Sequence, residues 1–103
     1  MIDDGTIFRL DESTFLLTCG SPCLAWLRKS ALGFDQLSLI EHTEALAALS
    51  LQGPTSFAVL KAMGLEATGS LEPFDIGHYP FAEGEIMISR TGFTGDLGYE
   101  LWV

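Results

Sequence analysis

Three glycines at every third position, Gly92, Gly95 and Gly98, constrain this chain more than any other stretch. They lie between two segments that read as short strands, residues 85–90 before them and residues 99–103 after. Such spacing forms a tight loop that needs positive φ at some positions or brings backbone close to a neighbour. It is not a nucleotide fingerprint. The Rossmann turn needs glycines two apart opening a helix, and the Walker loop needs Gly-Lys-Ser/Thr. In the second strand, alternation sends Tyr99, Leu101 and Val103 to one face and Glu100 with Trp102 to the other. A carboxylate beside an indole either belongs to a solvated strand face or, if buried, requires a partner.

Upstream, strands and helices interleave. Residues 6–10 and 14–18 read as a hairpin turning at Asp11-Glu12-Ser13. A helix follows, with Ser21 as N-cap and Pro22 at its first position. Its apolar stripe is Cys23, Leu24, Leu27 and Ala31, with Trp26 at the edge. Residues 37–41 read as a short strand. Residues 43–51 carry two patterns: Glu44 to Leu49 has helical propensity, whereas Ala47, Leu49 and Leu51 alternate as a buried strand would. Pro54 opens a second helix over residues 54–63, with Phe57, Leu60 and Met63 toward the core and Gly64 as its stop. Residues 65–73 read as a loop and residues 74–79 as a strand that Pro80 breaks or leaves at an edge. Glu83-Gly84 turns the chain into the strand before the glycines. This order predicts an α+β fold, an antiparallel sheet with two main helices.

Composition narrows the function. At 103 residues the chain is at most one domain. Fourteen acidic against five basic residues, a net charge of −9, argue against nucleic acid and anionic membranes as partners. No apolar run reaches bilayer-spanning length and no basic leader precedes an apolar one, so a soluble, cytoplasmic chain is expected. Cys19 and Cys23 stand without the further cysteines or histidines of a metal site, and read as two unpaired buried thiols in a reducing compartment. His42 and His78 have no partner at suggestive spacing and read as satisfied histidines rather than ligands.

The run from Arg90 through Gly92, Phe93, Gly95, Asp96 and Gly98 to Tyr99-Glu100 resembles the signature of the tetrahydrofolate-dependent aminomethyltransferases. That family comprises the T-protein of the glycine cleavage system and its folate-dependent demethylase relatives. Ile2-Asp3-Asp4 and Leu51-Gln52-Gly53-Pro54 match the same family in the same order. The resemblance favours a strand for residues 43–51. It also implies that residues 1–103 are part of a ferredoxin-like folate-binding domain cut at both ends and inactive in isolation. The motif strand is expected to end in the open, with Leu101 and Val103 unsupported, and to self-associate through an exposed edge or apolar face.

The resemblance further implies roles. Locally, Asp3-Asp4-Gly5 reads as a turn. In the family the second aspartate of this motif acts on the folate, and Asp4 matches it. A carboxylate there orients the nucleophilic nitrogen, stabilises iminium-like positive charge and relays a proton. Glu100 matches the glutamate that binds folate. A reduced pterin presents an amino group and a ring N–H side by side, and one carboxylate can accept both. Phe93 stands where the T-protein often has tyrosine, and Thr18-Cys19-Gly20 where it has Ser-Asn-Ala. Cys19 cannot replace an amide that both donates and accepts, which favours the broader methyl- or aminomethyl-transferring relatives. With few basic groups (Arg9, Arg28, Lys29, Lys61, Arg90), the anionic folate tail needs help from elsewhere. The implied partners are tetrahydrofolate, a small one-carbon donor and a carrier protein. A non-catalytic folate-binding module and a bare interaction module are the competing readings.

Overall fold

The N-terminal hairpin closes through its own turn residue. Asp11 Oδ1 accepts the backbone N–H groups of Ser13 and Thr14, each at 2.8 Å. These bonds, that from Ser13 foremost, hold the Asp11 carboxyl below the usual carboxylate range. The turn sets the register of β1 (Ile7–Arg9) on β2 (Phe15–Leu17), antiparallel with Ile7 opposite Leu17. The computed structural model describes residues 4–103, which divide into two units, one ending at His42 and the other Thr43–Val103.

In the first unit, α1 (Leu24–Ser30) begins later than expected. Cys23, rather than Ser21, stands at the N-cap, and it makes no capping bond. The apolar stripe is nonetheless the covered side: Cys23, Leu24, Leu27 and Ala31 are half-buried, whereas Trp26 is exposed. Residues 37–41 form no strand. Among the described residues the unit's sheet consists of β1 and β2, so an extended segment there finds no ladder to join, and Leu37 and Ile40 lie exposed.

The second unit contains β3 (Ala48–Gln52), α2 (Ser56–Ala62), a 3₁₀ helix (Glu66–Ser70), β4 (Ile76–Phe81), β5 (Gly84–Ser89) and β6 (Gly98–Trp102). Its four strands are ordered β3-β6-β5-β4 and every pair is antiparallel. The ambiguous stretch resolves as a strand because β6 offers it a ladder. Ala48 pairs with Trp102 and Gln52 with Gly98, and beyond them Ala47 and Val103 exchange both backbone bonds, at 2.7 and 3.0 Å. A five-residue pairing outweighs the small helical propensity of its alanines. Pro80 sits inside β4 rather than ending it, tolerated because β4 is an edge strand. Where a loop was expected, Glu66–Ser70 winds into the 3₁₀ helix, secured by the Thr68 hydroxyl donating to Leu65 O at 2.6 Å.

Alternation then separates two faces. Ile86, Ile88, Tyr99 and Leu101 join Leu60, Leu65 and Leu71 in one buried cluster, with Leu51, Phe57, Tyr79, Phe81 and Leu97 packed around it. Burial of one such side chain is worth about 1.5–3 kcal/mol. Met63, expected in this core, is instead exposed at the end of α2. Burial, followed by the charges of Asp75 and Tyr99, pushes the Tyr79 hydroxyl above its usual range. On the opposite face, Ser50, Glu100 and Ser89 lie in one row across three strands. Among the described residues no helix is long and apolar enough to cross a membrane.

Candidate functional site

Gln52 explains two of the three glycines. Its Nε2 donates to Ser50 Oγ at 3.0 Å and to Tyr99 O at 3.4 Å, which fixes the amide over the start of β6. A Cβ on Gly98 would run into that amide, standing 2.6 Å from Cδ and 2.9 Å from Nε2. A Cβ on Gly92 would sit 3.2 Å from Gln52 Oε1 and 3.0 Å from Asp96 O. Gly95 alone serves the other purpose, with φ at 78°. Gly53 N–H donates to Leu97 O at 2.7 Å and ties down the far side of the loop. Close approach, more than unusual backbone angles, sets the spacing of the motif.

That anchored loop delivers Thr91 to Glu100. The Thr91 hydroxyl donates to Glu100 Oε2, Thr91 Oγ1 lies 2.8 Å from Ser89 Oγ, and Trp102 Nε1 donates to Ser89 Oγ at 3.2 Å. Ser89 is fully buried, Thr91 and Trp102 are 8% exposed, and Glu100 is half-buried. The alternative of a solvated strand face is therefore set aside for Glu100 and Trp102. Among the described residues no hydrogen bond reaches Glu100 Oε1. Nor does the motif strand end in the open. β6 lies between β3 and β5 and Leu101 is buried, because residues 47–52 cover its outer side; only Val103 is exposed.

Two of the five basic side chains are engaged by backbone. Arg90 Nη1 donates to Leu71 O at 2.6 Å, and Arg9 donates to Asp11 O at 3.0 Å and Glu12 O at 3.4 Å.

Asp4 belongs to the first unit, exposed, just ahead of Gly5. Gly5 packs against the second strand of the hairpin, where a Cβ would collide with the Thr18 carbonyl, 2.8 Å from its carbon. Thr6 N–H donates to Thr18 Oγ1 at 3.0 Å, and Thr18 N–H to Thr6 O at 2.9 Å. Asp4 thus leaves a pinned point of the hairpin rather than a loose end. Ile2 and Asp3 of the same motif lie outside the described residues. Asp4 and Glu100 occur in different units, and each has its own local setting.

Other sequence candidates are placed as follows. Cys19 and Cys23 form no disulfide, but Cys19 is exposed and Cys23 half-buried, not buried as expected. They sit at the open end of the hairpin and at the N-cap of α1. Phe93 is 93% exposed on the glycine loop. His78 Nδ1 and Glu85 Oε1 pair at 3.0 Å on the surface. Sequence reasoning missed Ser89 and Thr91. Only part of their signal was present: Ser89 lies on β5 directly opposite Glu100, whereas Thr91 lies past the end of that strand on the loop.

The model of the GCVT N-terminal domain family matches residues 1–103, the whole chain. The chain belongs to that family. Within it, the chain is 35% identical to an aminomethyltransferase of Chlorobium phaeovibrioides over 98% of its own length and 29% of the relative's. It is 37% identical to that of Chlorobaculum parvum over the same shares, and 32% identical to that of Prosthecochloris aestuarii over 100% and 30%. The chain thus spans about three tenths of the length of the curated relatives it matches. No solved structure matches it. The α+β fold expected from the order of elements is what the described residues contain, two helices with antiparallel sheets.

Proposed function

We propose that this chain is the pterin-binding segment of a transferase that passes a one-carbon unit from an amine or methylated donor to tetrahydrofolate. The observation that carries this reading is the setting of Glu100. Its carboxylate is half-buried, held through Oε2 by Thr91, and no hydrogen bond among the described residues reaches Oε1. An acceptor so arranged fits the donor edge of a reduced pterin, an amino group beside a ring N–H. The fit is one of chemistry, since a half-buried carboxylate calls for donors. The relatives are named aminomethyltransferases, which supports the same class of reaction.

When bound, tetrahydrofolate supplies the nitrogens that accept the one-carbon unit. The chain's own residues do the rest. Glu100 binds and orients the pterin through charge-assisted hydrogen bonds, which are stronger than neutral ones. Asp4, held by the Gly5 contact, is the acid–base group: it stabilises positive charge on the donor nitrogen and takes or returns a proton. Cys19, where the T-protein has asparagine, favours a donor other than the glycine-derived aminomethyl group. A carrier protein is a further partner to be tested, and the cytoplasm the compartment.

Calorimetric titration of tetrahydrofolate into the chain tests the binding half. Saturable binding that Glu100→Gln removes is expected, and equal binding by both would sink the assignment. Formation of methylene-tetrahydrofolate or formaldehyde by the intact transferase separates an enzyme from a binding module.

A further inference from the structure

We infer that Thr91 and Ser89 are positioning residues, which with the Trp102 indole form a one-way hydrogen-bond relay that fixes the Glu100 carboxylate for its ligand. The inference rests on the reading of Glu100 given above. Its direction follows from the donors available. An indole N–H can only donate, so Ser89 Oγ accepts from Trp102. An ionised carboxylate can only accept, so Thr91 gives its single hydroxyl proton to Glu100 Oε2. Thr91 Oγ1, 2.8 Å from Ser89 Oγ, must then be the acceptor of the Ser89 proton. Three donors in series point at one oxygen, and each polarises the next.

The setting suits such a device. Ser89 is fully buried and Thr91 and Trp102 nearly so, so water does not compete along the chain of bonds. Ser89 is placed by β-structure, directly opposite Glu100 in the β5–β6 register, and Thr91 by the anchored loop just past the end of β5. With Oε2 held, the carboxylate cannot rotate freely, and Oε1 is presented in a set direction. Orientation is fixed before the ligand arrives, which lowers the entropy lost on binding.

The experiment pairs two variants that divide hydroxyl from packing. Thr91→Val keeps the shape and removes the hydroxyl; Thr91→Ser keeps the hydroxyl and removes a methyl. In the 103-residue chain, the Trp102 indole N–H resonance is followed by NMR, with Trp26 assigned through Trp26→Phe. Tetrahydrofolate is the ligand. A relay predicts that Thr91→Val shifts the indole resonance and weakens tetrahydrofolate binding about 5- to 20-fold, an effect on the order of one hydrogen bond. Thr91→Ser should match the parent within about twofold in binding and leave the indole resonance in place. A packing role predicts the reverse, with Val tolerated and Ser impaired, and would overturn the inference. Should Thr91→Val fail to fold, Ser89→Ala cuts the relay one bond further back and must still shift the indole resonance and weaken binding. Glu100→Gln keeps the two claims apart. If it binds as well as the parent, the reading of Glu100 falls; if it loses binding while Thr91→Val does not, only the relay falls.

Discussion

Gly98→Ala is the sharpest test of how the motif is built. Glycine at this position is not in the left-handed region, so alanine meets no backbone objection. Its methyl would, however, occupy space already filled by the Gln52 amide. Gln52 can swing away only by giving up its bonds to Ser50 Oγ and Tyr99 O. At about 0.5–1.5 kcal/mol for each bond, and with residual crowding, the variant should lose about 1–3 kcal/mol. In a Gln52→Ala background the obstacle is gone. There Gly98→Ala should be neutral, or stabilising by up to about 1 kcal/mol through a less flexible unfolded chain. Urea unfolding of the four proteins of this double-mutant cycle gives the coupling directly. A cost below about 0.5 kcal/mol in the parent, or the same cost in both backgrounds, would refute the close-approach account of the glycines.

Asp11 makes the hairpin pH-dependent. Its carboxyl is held below the ordinary 3.8, so its contribution to folding is present above that value and is lost as pH falls through the lower folded one. Amide exchange at Ser13 and Thr14 should quicken across that window in the parent and stay flat in Asp11→Asn, whose amide oxygen still accepts. Asp4→Asn in the intact transferase should leave tetrahydrofolate binding unchanged while turnover falls about 10²-fold or more at saturating folate; unchanged turnover would remove Asp4 from the chemistry. Self-association is expected through β3, an edge strand with Leu49 61% exposed, rather than through β4, whose Pro80 breaks the pairing edge. Light scattering should show oligomers that Leu49→Lys disperses, and a monomeric parent at high concentration would contradict this.

The legible parts of the fold were those in which local pattern and pairing agree. The alternation of Tyr99, Leu101, Glu100 and Trp102 named both faces of β6, and the turn chemistry of Asp11 named the hairpin. The segment over residues 43–51 was undecidable from its residues, because its strand character comes from the ladder with β6. Conversely, residues 37–41 had strand composition and no ladder to join. The helix starts were read too early because Ser21-Pro22 and Pro54 suit a first turn that neither helix makes there. At the site, Glu100 was visible as a carboxylate needing a partner. The identity of that partner was not, since Thr91 reaches it only through a loop whose shape Gln52 imposes from a distant part of the sequence.

Tetrahydrofolate binding by the parent and by Glu100→Gln, measured by calorimetry under one buffer and salt, tests the central claim most directly. The amide offers one acceptor oxygen and turns an NH₂ toward the pterin's own donors. Losing a charge-assisted pair and leaving a donor unmet should cost about 2–3 kcal/mol, a dissociation constant raised about 30- to 150-fold. Equal affinities would place the carboxylate off the pterin and contradict the function proposed for this strand.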